Sequence, residues 1–208
     1  GQGAAPDGAA PPAAPAERDL TAPQALRTPA FWMLALGHGT ALLVVSSVNV
    51  HAISHMKEGM GYTVAQASLV ITLMTVSQVA GVLLGAAVGD RWNKCTIAGT
   101  CMLMHAVGLL LLTFAGHPLM LASLAVLHGV AWGLRGPLMQ AIRADFFGLQ
   151  AIGMIMGLSA FIIAIGQVVG PMLAGGFADT QGHYRAGFTV LATLAAAEIL
   201  VRDGFDVM

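Results

Sequence analysis

Long unbroken runs of apolar residues, separated by short polar punctuation, set the pattern of this chain. Five runs, at about 30–53, 64–88, 96–115, 118–142 and 152–177, reach the roughly 20 residues that carry a helix across about 30 Å of hydrocarbon. A sixth, 186–201, is shorter and is followed at once by Arg202 and Asp203. Backbone groups in lipid must bond within their own segment, so the runs predict helices and not open strands. A transmembrane barrel would show segments of about ten alternating residues, which the chain lacks. The predicted fold is all-α, a polytopic membrane bundle of six transmembrane helices over 29–202, with a short tail at 203–208. Residues 1–28 are rich in Ala, Pro and Gly and lack the basic start and apolar core of a signal peptide. They read as a disordered linker. Thr28-Pro29 then leads into Phe31-Trp32, an aromatic pair suited to a bilayer interface.

Composition agrees with a lipid environment. Of 208 residues, 57% are hydrophobic and 9% charged, against about 25% charged in a soluble domain. The mean hydropathy is +0.78. A net charge of −1 points to no nucleic-acid partner. Cys95 and Cys101 fit neither a disulfide framework nor a zinc spacing and read as buried thiols. With the N-terminus in the cytoplasm, Arg18, Arg27, Arg91, Lys94, Arg143 and Arg202 lie on that side and Lys57 and Arg185 outside, while Arg135 falls within a span. That distribution obeys the positive-inside rule and places both termini in the cytoplasm of a plasma or bacterial inner membrane. A start at Gly1 in place of Met marks a processed chain or a piece of something longer.

The second and fifth spans share a pattern. Gln78-Val79-Ala80-Gly81-Val82-Leu83-Leu84, running on to Asp90, aligns with Gln167-Val168-Val169-Gly170-Pro171-Met172-Leu173, running on to Asp179. His38-Gly39 and His128-Gly129 stand at nearly the same offset. The offset carries three helices, so the two units have opposite orientations. Inverted three-helix repeats are a recurring device of secondary transporters.

Arg135 is the most telling single residue, because a guanidinium facing lipid costs several kcal/mol. It is expected to face a cavity or a partner, gripping a carboxylate or holding a backbone carbonyl. His128, Trp132, Arg135 and Met139 share one helix face by their spacing. Gln78, Gln167, Asn49 and His38 are polar groups within spans that either line the pathway or join helices. His51 and His55 lie four apart, but no third ligand is evident, so no metal site is expected. Asp145 and Asp179 are placed in loops, and no paired carboxylate is expected within a span. There is no nucleotide loop and no nucleophile elbow, so neither an enzyme nor a cofactor is expected.

The residues resemble the major facilitator superfamily. Thr28-Pro29-Ala30-Phe31-Trp32 looks like the family's entry into helix seven, and Gly89-Asp90-Arg91-Trp92-Asn93-Lys94 like its Asp-Arg motif between helices eight and nine. Ala86 and Asn93 stand where that motif usually has glycine. Arg135-Gly136-Pro137, Arg143-Ala144-Asp145-Phe146-Phe147-Gly148, Met154-Ile155-Met156-Gly157, Gly170-Pro171 and Asp179 through Phe188 resemble the branch of oxalate/formate and monocarboxylate porters. The resemblance implies helices seven to twelve of a secondary transporter working by alternating access. It implies a conformational latch at Asp90, Arg91 and Lys94, and a small organic anion carried with a proton or counter-substrate. The unit would work against a missing N-terminal half or a second copy. A stand-alone six-helix scaffold, regulator or metal-dependent membrane enzyme is the alternative, and the coding region upstream of Gly1 discriminates the two.

Overall fold

The structure, a computed structural model, describes residues 19–89 and 91–202, the last four as backbone alone. The described residues form seven α-helices and no strand: α1 Ala22–Leu26, α2 Pro29–Met60, α3 Val64–Val88, α4 Lys94–Thr113, α5 Pro118–Phe147, α6 Ile152–Gln181 and α7 Arg185–Arg202. Local chemistry sets their ends. Thr28 accepts the Phe31 N–H at 3.3 Å and Pro29 opens α2, where its missing N–H costs nothing. Thr63 and Gln66 close a reciprocal capping box on α3, and Asn93 caps α4 through Thr96. Gly61 and Gly182 stop α2 and α6 in the left-handed region, at φ 72° and 75°.

Five of these helices, α2 to α6, are long and apolar enough to cross a membrane. α7, the sixth predicted span, has 18 residues and is not among them. Several helices outrun their predicted spans. The 32 residues of α2 measure about 48 Å, more than the hydrocarbon core requires. Apolar pattern marks only the lipid-matched portion, whereas backbone hydrogen bonding carries a helix on into polar sequence. Asp145 and Asp179, expected in loops, are therefore helical, in α5 and α6.

Two helix pairs dominate the packing, α3 with α5 and α2 with α6, while α4 lies against α5 and α7. Glycine permits the closeness. A methyl group at Gly133 would collide with the Gln78 carbonyl, and one at Gly170 with the Leu43 carbonyl. Outward faces of α3 and α6 stay apolar, with Leu69, Val76, Leu83, Phe161, Val168 and Met172 exposed. Residues 19–28 correct the last part of the predicted linker. The Leu20 N–H donates to the Phe147 carbonyl at 2.9 Å, Asp19 accepts from Leu149 and Gln150, and Ala22 and Ala25 are buried. Short-range composition could not reveal that this segment docks on the α5–α6 turn. Residues 1–18 and 203–208 of the predicted linker and tail lie outside the described residues.

Candidate functional site

Arg135 ties four helices together. Seated on α5 with its side chain buried, it donates from Nη1 to the Ala98 carbonyl of α4 at 3.1 Å. Nη2 donates to the Gly37 carbonyl of α2 at 3.0 Å and to Glu198 Oε1 of α7 at 2.7 Å. The Glu198 carboxylate therefore lies inside the bundle as the ion-pair partner of Arg135, a residue that the sequence reading did not single out. The signal was available, since Glu198 is an acid within the last apolar run. Arg135 Nε and Glu198 Oε2 are buried without a hydrogen-bond partner among the described residues, so the pair keeps unused polar capacity.

Beside the pair lies a pocket of about 320 Å³. Apart from Arg135 and Glu198, its walls are mostly apolar, with Leu34, Met102, Met139 and Ile142 among them. A small apolar chamber walled in part by a paired guanidinium and carboxylate can hold a small solute with an apolar body and a polar or charged head. The same end of the bundle carries Arg143, which the sequence reading set on the cytoplasmic side just past the fourth span and which is buried near the end of α5. It donates to the Met139 carbonyl at 3.2 Å and to His38 Nδ1 at 3.2 Å. A guanidinium only donates, so His38 accepts at Nδ1 and in its neutral form carries its proton on Nε2.

The other predicted residues scatter. Met139 lines the pocket, but Trp132 is half-buried away from it and His128 faces His105 of α4. Gln78 is half-buried on α3, while Gln167 and Asn49 are exposed. None of these three lines the pocket. Among the motif residues, Asp90 lies outside the described residues and Arg91 is exposed. Lys94 pairs with Asp145, joining the start of α4 to the end of α5. His51 and His55 donate from Nε2 to the Pro171 and Leu112 carbonyls, at 3.0 and 3.1 Å, so each joins two helices. His55 borders a second pocket at the far end, which Glu58, His117 and Arg185 also line.

The family model described as Major Facilitator Superfamily matches residues 30–202, nearly the whole helical bundle. The chain belongs to the major facilitator superfamily. It is an integral membrane protein of a family of transporters, not enzymes. No curated protein matches the chain. In this transporter family, a buried arginine against a small pocket is a candidate place for a solute charge. The bilayer supplies the low dielectric around it, which strengthens any ion pair formed there.

Proposed function

We propose that this unit supplies helices seven to twelve of a secondary transporter that moves a small organic anion, such as a monocarboxylate, by alternating access. The observation that carries the reading is the buried Arg135 guanidinium, set beside an apolar pocket and neutralised by Glu198 of another helix. A solute carboxylate can take the place of the Glu198 oxygen on Arg135. Glu198 then leaves as the protonated acid or swings aside, which links anion binding to a proton or to a counter-substrate. The branch of oxalate/formate and monocarboxylate porters fits this chemistry. α7 is read as the sixth span, because its Glu198 meets Arg135 at the depth of the bundle.

Helix pairing supports an inverted three-helix repeat. Gly81 lets α3 approach the Val130 backbone of α5, and Gly170, its counterpart 89 residues on, lets α6 approach Leu43 of α2. Repeats of that kind rock against a second six-helix unit, an N-terminal half or another copy. Both termini would face the cytoplasm, with Asp90, Arg91 and Lys94 forming the latch there. Lys94 is engaged with Asp145 within the unit, which leaves exposed Arg91 to reach across. The test is uptake of radiolabelled small carboxylates by the full-length transporter in proteoliposomes. Saturable uptake lost in Arg135→Gln, with the protein folded, is expected. Unchanged kinetics in that variant would refute the anion site. Loss of folding instead would favour a second reading, for which the bonds to the Ala98 and Gly37 carbonyls speak, with Arg135 as a clamp between helices.

A further inference from the structure

At the end of the bundle away from Arg135, the last turn of α2 and the α2–α3, α4–α5 and α6–α7 turns enclose the second cavity, of about 320 Å³. Along α2, its residue His55 stands about 27 Å from Gly37, whose carbonyl Arg135 holds at the other pocket. The two cavities are separate. The apolar run of α2 ends near residue 53, and Glu58, His117 and Arg185 are exposed, so this cavity is reached from water. Its His55 wall is fixed. That residue is 3% exposed and donates from Nε2 to the Leu112 carbonyl at 3.1 Å. Its ring meets Phe188 edge to face at 5.2 Å, and Tyr184 of the α6–α7 turn stacks on Phe188 at 5.7 Å.

The polar groups divide into acceptors and donors. A carbonyl only accepts, so neutral His55 carries its hydrogen on Nε2 and keeps a bare Nδ1. That nitrogen has no hydrogen-bond partner among the described residues. A methyl group at Gly59, a cavity residue, would stand 3.5 Å from it, so the glycine leaves space beside the bare nitrogen. Glu58 follows His55 by one helical turn on the same face of α2 and adds a carboxylate. Arg185, at the start of α7, supplies a guanidinium that only donates. His117 accepts the Leu119 N–H at Nδ1, at 3.2 Å, so its neutral ring holds a hydrogen on Nε2 and donates there. Among the described residues, neither the Glu58 nor the Arg185 side chain enters an ion pair or a hydrogen bond. Opposite charges that line one small cavity without meeting are joined best by a molecule carrying both signs. A plain anion or cation satisfies one of them and is repelled by the other.

We infer that this cavity binds a small zwitterion, with an ammonium at one end and a carboxylate or phosphate at the other. The ammonium donates to the Glu58 carboxylate and to His55 Nδ1, and the anionic group accepts from the Arg185 guanidinium and His117 Nε2. The binding is non-covalent and releases only water. It requires neither the Arg135 pocket nor the carboxylate-transport reading. Because the ligand joins the end of α2 to the α4–α5 and α6–α7 turns, its binding favours the helix arrangement that holds those segments together.

The test is saturation-transfer NMR on the full-length protein in nanodiscs of phosphatidylglycerol, a lipid without an ammonium group. The probes are β-alanine, γ-aminobutyrate and phosphoethanolamine, with butyrate and butylamine as single-charge controls. Saturable binding of at least one zwitterion is expected, with both controls about tenfold weaker or more. Glu58→Gln and Arg185→Gln should each raise the dissociation constant about tenfold. Both side chains are exposed, so these variants keep the fold, which helical circular dichroism checks. Lys57→Gln, exposed and outside the cavity, and Arg135→Gln should leave zwitterion binding unchanged. Absence of zwitterion binding to the folded wild type overturns the site, as does equal binding of butyrate or wild-type affinity in both cavity variants. Binding lost in Arg135→Gln alone puts the ligand in the other pocket and overturns it too. Discs containing phosphatidylethanolamine distinguish the sources of the ligand. Weaker probe binding there supports the site with a lipid headgroup as its occupant, and unchanged binding supports it with a water-borne solute.

Discussion

Replacing Gly133 by alanine tests the idea that α3 and α5 are held together by the absence of a side chain. The added carbon would collide with the Gln78 carbonyl oxygen and stand 2.8 Å from the Gln78 carbonyl carbon and 2.9 Å from the Val82 nitrogen. Carbon contacts are comfortable at about 3.5–4.0 Å, so α3 must withdraw by roughly half an ångström or more. All the opposing atoms are backbone, and no side chain can swing away to relieve them. A gap of about 0.5–1 Å forfeits a quarter to a half of the dispersion energy of every contact it opens. Along this long seam, the loss is about 2–3 kcal/mol, at the upper end for an overpacked core. Gly136→Ala is the internal control. It lies three residues further along α5 with nothing near its added carbon, and its effect stays within about 1 kcal/mol of neutral. Equilibrium unfolding of the full-length protein in bilayer nanodiscs, followed by tryptophan fluorescence, compares the two. Equal stabilities for Gly133→Ala and Gly136→Ala would refute the close-packing argument.

Further expectations follow from the same geometry. Gly170→Ala, which drives a methyl group into the Leu43 carbonyl and toward Ser47 Oγ, should destabilise the α2–α6 seam by a similar amount, about 2 kcal/mol. A neutral result in the same unfolding assay would show that this seam relaxes where the other does not. Glu198→Gln leaves Arg135 buried without its anion and should cost about 3 kcal/mol, the low end for a broken buried pair, because Glu198 retains some exposure. The Arg135→Gln/Glu198→Gln double variant should recover part of that loss, and strict additivity in the cycle would mean that the two charges do not interact. Lys94→Ala removes a partly exposed pair with Asp145. It should change stability by less than about 1 kcal/mol, with the difference vanishing at high salt.

Much of the architecture was legible because lipid imposes a simple rule. A helix that crosses hydrocarbon must be long and apolar, and its pattern survives in one dimension. The predicted spans 64–88 and 96–115 nearly coincide with α3 and α4 for that reason. The family was legible through local motifs such as the Asp-Arg segment after α3. Arg135 was legible as a residue in need of a partner, since its charge conflicts with its surroundings whatever the fold.

The partners themselves were not legible. Gly37, Ala98 and Glu198 lie far from Arg135 in the chain, and only the arrangement of α2, α4, α5 and α7 brings them to one guanidinium. Helix periodicity put His128, Trp132, Arg135 and Met139 on one side of α5 but could not tell which neighbour each would meet. Tertiary packing sends Arg135 and Met139 to the pocket and His128 to His105. Gln78 and Gln167 matched in sequence yet differ in surroundings, one half-buried and one exposed. The sequence by itself determined that this protein lives in a membrane as a bundle of helices, because solvation acts on each segment separately. Which charges neutralise one another, and which polar groups meet inside the bundle, was decided only by tertiary structure. Those pairings depend on distances of a few ångströms between segments that the chain order holds far apart.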